Sequence, residues 1–447
     1  LTNSAVPDAP ETSSAHAGVP HLSFLKAIIY SVANFGYGAF YTLNNAILSL
    51  YLRNFTHNAI LIGLLGSTHS FEGAVIQPLV GSASDRMRSK LGRRRPFILA
   101  TIPISTLFLL LTPLCAHLPH HIRLSAMVAC IFLFTVTFNV AQDPYNALMP
   151  DITPEDQRGR VTGISMFIFL LGQVVLVMMP ARLGPLTITT ETKFQLCGLL
   201  MLATTLVTCL LIKEPDHPRE VVQKTPHLES IWIALQGLAT LKQARKALVV
   251  SFLSGLGIGA VFPFLTIFVK SITKCSDHDA ETMFLCLVAS TALCVLPFGW
   301  LTDKLGPRAV LLIALCLIGG ASAAGLWVTT LSQIRIVMIV AGLGNAAQFS
   351  AAYPLLYKLV PPEEVGFYTG LQSTALSIAT PITSIVTGAL INHGGYRRIF
   401  VVCSLCVTGA IAALIAVRNK LAPDEIRGRE ESLRTASEAF LNSQSAG

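Results

Sequence analysis

Charge is what this sequence has least of. Asp, Glu, Lys and Arg make up 13% of its 447 residues, where a soluble chain carries about 25%. Metal-ligand spacings are also missing. The ten Cys are scattered, and most stand inside apolar runs (Cys130, Cys197, Cys209, Cys294, Cys316, Cys403, Cys406). They read as small buried apolar residues, and Cys403-x-x-Cys406 has no His or Cys partner run. There is no phosphate-binding loop and no triad-like arrangement, so neither an enzyme nor a cofactor or metal is expected. Residues 1–23 lack the basic start and short apolar core of a signal peptide. Their Ser, Ala and Pro content reads as a disordered cytoplasmic tail.

What fills the chain instead is apolar sequence, 52% of all residues. The net charge of +8 would suit a nucleic-acid binder, but not with this much apolar sequence. Basic loops on one side of a membrane account for it better. A spanning helix needs about 20 mainly apolar residues. Twelve segments qualify, near 24–52, 59–82, 96–116, 124–148, 162–181, 194–212, 247–270, 282–301, 308–330, 334–358, 367–391 and 399–417. They fall into an N-terminal bundle over 24–212 and a C-terminal bundle over 247–417, with a polar linker at 213–246 and a tail at 418–447. Ile231, Leu235, Leu238 and Leu241 predict a short surface helix within the linker. With both ends in the cytoplasm, the inner loops and tails hold roughly 23 of the 32 Lys and Arg, which sets the expected orientation.

The stretch from Gln77-Pro78-Leu79-Val80-Gly81 through Asp85-Arg86 and Gly92-Arg93-Arg94-Arg95-Pro96 lies between the second and third apolar segments. It reads as a tight charged loop whose Gly81 allows close helix packing. A shorter copy, Gly299 to Asp303-Lys304 and Arg308, follows at an offset of 218 residues between Asp85 and Asp303. Pro154, Gly159, Thr162 and Gly163 recur as Pro361, Gly366, Thr369 and Gly370 at an offset of 207. Two matched landmarks half a chain apart predict a duplicated transporter.

Polar groups at membrane depth are costly, so they face a partner or a water-filled cavity. Asn34, Tyr37, Tyr41, Asn44 and Asn45 form a stripe along the first helix. Thr135, Asn139, Gln142 and Asn146 form one along the fourth; Gln173, Asn345, Gln348, Tyr353 and Gln372 add to the fifth, tenth and eleventh. Neutral amides and phenols both donate and accept, which suits a ligand rich in hydroxyls. The alternative is that they join helices to one another. Glu72 lies one turn from His69 in the second helix, and Asp143 follows Gln142 before Pro144 in the fourth. Either carboxylate, with His69, is a candidate for cation coupling, or else for a structural pairing. Glu155, Arg158 and Arg160, at the start of the fifth helix, are expected to exchange salt bridges with Asp85 and Arg86 as a gate.

The G-x-x-x-D-[R/K] loops resemble those of the major facilitator superfamily. More narrowly, Gln77-Pro78-x-Val80-Gly81-x-x-Ser84-Asp85-Arg86 with Gly92 to Ile98, and Asn139-x-x-Gln142-x-Pro144-x-x-Ala147-Leu148-x-x-Asp151, resemble the plant sucrose–proton symporters and their relatives. The glycoside–pentoside–hexuronide cation symporters share the Pro144-to-Pro150 spacing. This resemblance implies an all-α membrane protein of twelve transmembrane helices in two pseudo-symmetric six-helix bundles. It also implies alternating access and a sugar carried with a proton or sodium ion. His57 falls where the symporters have a histidine associated with sugar binding. Two departures stand out: Gln142 occupies the position of a carboxylate in the cation symporters, and Glu72 has no counterpart in the plant proteins. The expected partners are a sugar, a coupling cation and the bilayer, with no nucleic acid. A monomeric, multi-pass protein of the cell membrane is expected. The competing readings are a carrier of an amphipathic drug or lipid and a non-transporting sensor or scaffold.

Overall fold

The computed structural model describes residues 21–214, 241–360 and 365–418, apart from 88, 90, 155–156, 180–181 and 184–185. The side chains of Glu72, Gln77, Gly81, Asp85 and Arg86, all of Glu155, and Ile231, Leu235 and Leu238 of the expected surface helix lie outside the described residues.

Helices occupy all twelve expected segments. The first span runs Phe24–Thr42, through a π-helical turn at Leu43–Ile47, into Leu48–Arg53. The second is Ala59–Arg86, the third Arg95–Leu114, the fourth His120–Ile152, the fifth Arg158–Met178 and the sixth Thr190–Leu211. The seventh joins Lys242–Val261 to Leu265–Thr273 through a 3-10 turn at Phe262–Phe264. The eighth is Asp277–Leu305, the ninth Pro307–Gly325, the tenth Leu331–Tyr357, the eleventh Val365–Gly394 and the twelfth Arg398–Ile415. Among the described residues, ten helices are long and apolar enough to cross a membrane by length and composition alone. The first span is divided by its π turn, and the apolar part of the second is described only over Ala59–Ser70.

Several helices begin earlier than apolarity predicts, because polar side chains cap them. Ser276 and Asp279 form a capping box ahead of the eighth span, and Thr330 and Gln333 another ahead of the tenth. The seventh starts at Lys242 rather than 247, carrying Lys242, Arg245 and Lys246 out of the apolar zone, where Lys246 donates to the Ala416 carbonyl at 2.9 Å. A two-stranded hairpin, Arg182–Leu183 with Leu186–Thr187, joins the fifth and sixth spans.

Packing repeats between the halves. In the first half the pairs are first–fifth, first–sixth, second–fourth, third–fourth and third–sixth; each has its counterpart six spans later. The halves meet where the second span packs on the eleventh and, less extensively, the fifth on the eighth, themselves a symmetry-related pair of contacts. Lipid tails supply no hydrophobic drive between helices, so close approach through small residues holds them. A Cβ on Gly38 would stand 1.9 Å from the Phe169 carbonyl oxygen, and one on Gly172 would stand 2.0 Å from that of Phe35. First and fifth spans thus touch backbone to backbone. Gly299 does not act this way: a Cβ there would meet nothing within 4 Å. The close packing read for the loop glycine of the first copy therefore has no counterpart at Gly299, although Thr302 of the same end is buried.

Candidate functional site

The first span of each half breaks at the same depth, the π turn at Leu43–Ile47 in one and the 3-10 turn at Phe262–Phe264 in the other. Between the two breaks lies a cavity of about 270 Å³, near the lower end of the roughly 300–1,000 Å³ that encloses drug-sized ligands. Its N-terminal wall is polar: Tyr41, Asn44, Asn45, His69, Ser70 and Asn139. Its C-terminal wall is Ile258, Phe262 and Pro263, with Ser377 and Thr380 from the eleventh span. The wide π turn brings consecutive Asn44 and Asn45 to the same cavity, which a regular helix would set about 100° apart.

A chain of hydrogen bonds fixes the polar wall. The Tyr41 hydroxyl lies 2.7 Å from His69 Nε2 and accepts from Gln142 Nε2 at 3.3 Å. Asn139 donates to the His69 carbonyl at 3.1 Å, and Asn44 to that of Gly66 at 3.0 Å. The rings of Phe40 and Phe138 close around the imidazole at 5.6 Å each. Four acceptor-capable atoms have no protein partner among the described residues: Asn44 Oδ1, His69 Nδ1, Asn139 Oδ1 and Gln142 Oε1.

The remaining sequence candidates lie elsewhere. Asn34 donates to the Tyr145 hydroxyl at 2.7 Å, beside stacked Tyr30 and Tyr145 and edge-on Tyr37. These residues join the first and fourth spans, so the helix-joining alternative describes them. Gln173 is buried against the first span, where its carbonyl accepts from Thr42. Gln348 donates to Ser254 at 3.2 Å. Asn345 lines a separate, mostly apolar cavity of about 50 Å³. Gln372 is buried with neither amide atom partnered among the described residues, outside the wall of the main cavity. His57 is exposed beyond the first span and offers its carbonyl to Arg53. Asp143 is half-buried next to Gln142, also outside that wall. Sequence reasoning missed Ser70, Ser377 and Thr380, short residues whose role comes from tertiary position alone.

The linker face carries the charged network. Asp151 accepts from Arg93 at 2.6 Å and from Arg94 at 3.2 Å, and Arg94 also donates to Ser84 at 2.5 Å. Glu214 accepts from the backbone N–H groups of Arg93, Arg94 and Arg95 at 2.6, 2.9 and 2.8 Å. Its carboxylate sits at the positive end of the third span. The loop arginines are therefore held within their own half, by two acids left out of the expected gate. Arg160 packs over the Phe24 ring at 5.1 Å, at the exposed start of the first span. Arg158 is half-buried; Asp303 and Lys304 are exposed, Lys304 over Trp300 at 3.6 Å. Arg308 donates to the Ile415 carbonyl at 2.8 Å.

The opposite face is closed across the halves. Lys193 and Glu281 pair there, both buried. Asn392 accepts from the Ala59 N–H at 3.1 Å, and Arg53 lies over the Tyr396 ring at 5.4 Å. Burial pushes the Tyr396 phenol above its ordinary value, and Arg53 draws it back.

Two six-helix repeats around a polar cavity at their junction define a solute carrier of the membrane. The sequence model of the Major Facilitator Superfamily matches residues 30–249 and again 247–445, once in each half. The chain belongs to the Major Facilitator Superfamily, as a multi-pass membrane transporter with no enzymatic role. It is similar to the sucrose transport protein SUC4 of Arabidopsis thaliana, 29% identical over 163 residues covering 33% of this chain and 32% of that one. It is similar to the sucrose transport protein SUT2 of Oryza sativa subsp. indica, 29% identical over 203 residues, 34% of this chain and 40% of that one. The MFS transporter asaE of Aspergillus flavus is 24% identical over 168 residues, 36% of this chain and 38% of that one. The matched stretches thus span 40% or less of these relatives' lengths. Among solved structures, the nucleoside transporter NupG superposes with a TM-score of 0.68 at 14% identity, covering 88% of this chain and 99% of that one. A bacterial homolog of the human lysosomal transporter Spinster, inward-facing and occupied, gives 0.59 at 16% identity, over 94% and 95%. At these identities the likeness is one of fold.

Proposed function

We propose that this chain is a secondary active carrier that moves a small hydroxyl-rich solute, a sugar or glycoside, together with a proton by alternating access. The observation that carries the reading is the set of unpartnered acceptors on the cavity wall, Asn44 Oδ1, His69 Nδ1 and Asn139 Oδ1. A buried polar atom without a partner costs about 1–3 kcal/mol, and sugar hydroxyls supply the donors that would offset it. The similarity to the sucrose transport proteins SUC4 and SUT2 supports the same solute class. The coupling group is one of Glu72, Asp143 and His69; His69 touches the solute cavity directly. The linker face, with Arg93 and Arg94, is the cytoplasmic one under the positive-inside rule, and the carrier works as a monomer in the cell membrane.

The apolar wall of Ile258, Phe262 and Pro263 favours a second reading, an amphipathic solute with one polar and one apolar face. Proteoliposome assays separate the two. Sucrose, maltose and glucose are added in turn, and proton entry is followed for wild type, Glu72→Gln and Asp143→Asn. Sugar-dependent entry that disappears in one variant assigns the coupling acid; entry surviving both moves coupling to His69. No response to any of these sugars overturns the sugar reading in favour of the amphipathic one.

A further inference from the structure

In the first half, two carboxylates neutralise the positive start of the third span. Asp151 ends the fourth span and takes Arg93 and Arg94; Glu214, three residues beyond the sixth span, takes three backbone N–H groups. The repeat places counterparts for both in the second half. The 207-residue offset that relates Pro154 to Pro361 carries Asp151 onto Lys358. Three residues beyond the twelfth span, where Glu214 would recur, stands Arg418. Both internal anions have been replaced by cations.

The structure around the ninth span reflects that exchange. No side chain caps its start at Gly306 and Pro307. Beside it opens a groove of about 690 Å³ lined by Leu305, Pro307, Arg308, Leu355, Lys358 and Ile415, among others. Among the described residues, its lining contains two cations and no carboxylate. Lys246 and Arg308 spend hydrogen bonds on the carbonyl end of the twelfth span, at Ala416 and Ile415, which leaves Lys358 uncommitted to any described acid. The rest of the lining is apolar, and Leu305 and Ile415 are more than half exposed. Trp300 under Lys304 is the kind of aromatic and basic pair that is enriched where bilayer meets water.

We propose that this groove binds an anionic phospholipid, whose phosphate replaces the missing carboxylates between Arg308, Lys358 and the start of the ninth span. The acyl chains would lie on Leu305, Leu312, Leu355 and Ile415. A positive helix end next to Lys and Arg is an anion site, and basic pockets between spans on the cytoplasmic side take anionic head groups. The apolar walls favour a lipid over a free anion. The inference is independent of which solute is carried.

The test is thermal melting of the purified chain in detergent with added phosphatidylglycerol, phosphatidylcholine of the same acyl chains, or inorganic phosphate. Phosphatidylglycerol alone is expected to raise the melting temperature, by roughly 3 °C or more. Arg308→Gln/Lys358→Gln should abolish that rise. Lys358→Asp restores the carboxylate of the first half, so it should fold at least as stably without lipid and gain little from phosphatidylglycerol. Equal shifts from both lipids, a shift reproduced by inorganic phosphate, or a full shift retained in Lys358→Asp would each overturn the proposal.

Discussion

Lys193 and Glu281 form a buried ion pair that crosses from the N-terminal half to the C-terminal half on the face away from the linker. No other described ion pair joins the halves. A charge pair removed from water is held by its geometry, and losing one partner strands the other. Lys193→Met is therefore expected to destabilise the closed face by about 3–5 kcal/mol, read as a fall in melting temperature. Lys193→Met/Glu281→Gln should recover most of that loss. If the single and double variants melt alike, the pair contributes nothing to closure.

The Tyr41 hydroxyl is where the first, second and fourth spans meet in the cavity wall, since His69 and Gln142 both bond to it. Tyr41→Phe removes that hydroxyl and frees two buried polar groups. Under the proposed function, the expected result is about tenfold weaker sugar binding, from a cost of roughly 1–3 kcal/mol. Binding isotherms on purified protein read it directly. An unchanged isotherm would detach Tyr41 from the ligand site.

The twelve spans were legible because a helix in lipid must carry its own run of apolar residues, so composition alone marks it. The twofold repeat was legible in Asp85 and Asp303. Three of the five first-span stripe residues reached the cavity: Tyr41, Asn44 and Asn45 line it, whereas Asn34 bonds to Tyr145 and Tyr37 packs edge-on against the same ring. All five residues share one helical face; position along the span separates Asn34 and Tyr37 from Tyr41, and the π turn holds Asn44 and Asn45, a break that a 3.6-residue period does not contain. Asp151 and Glu214 were visible as residues but not as partners, because two spans separate Arg93 from Asp151 in the chain and four separate it from Glu214.

Asp151 and Asp303 are acids near repeated loops with opposite surroundings. Asp151 is mostly buried between Arg93 and Arg94, whereas Asp303 is exposed. Asp151→Asn takes a carboxylate away from the buried Arg94 and is expected to cost about 3 kcal/mol. Asp303→Asn should fall within about 0.5 kcal/mol of wild type. Paired melting curves check this; equal effects would mean that the two loops carry the same load despite their different burial.

Gly38 and Gly163 provide the matching contrast for packing. An added methyl on Gly38 would enter the carbonyl oxygen of Phe169, at 1.9 Å, and backbone cannot step aside as a side-chain tip can. Gly38→Ala must push the first and fifth spans apart, at about 1–3 kcal/mol, and should lower the melting temperature. Gly163 lies in the fifth span with nothing within 4 Å of the same methyl. There alanine restores helix propensity and should stabilise this conformation by up to about 1 kcal/mol. Alternating access gives Gly163 a second role, since the linker face must close when the other face opens. Gly163→Leu should then leave melting near wild type while slowing transport, because the bulk meets a neighbour only in the closed state. Normal turnover in that variant, measured beside Gly38→Ala, would place Gly163 outside the moving contact.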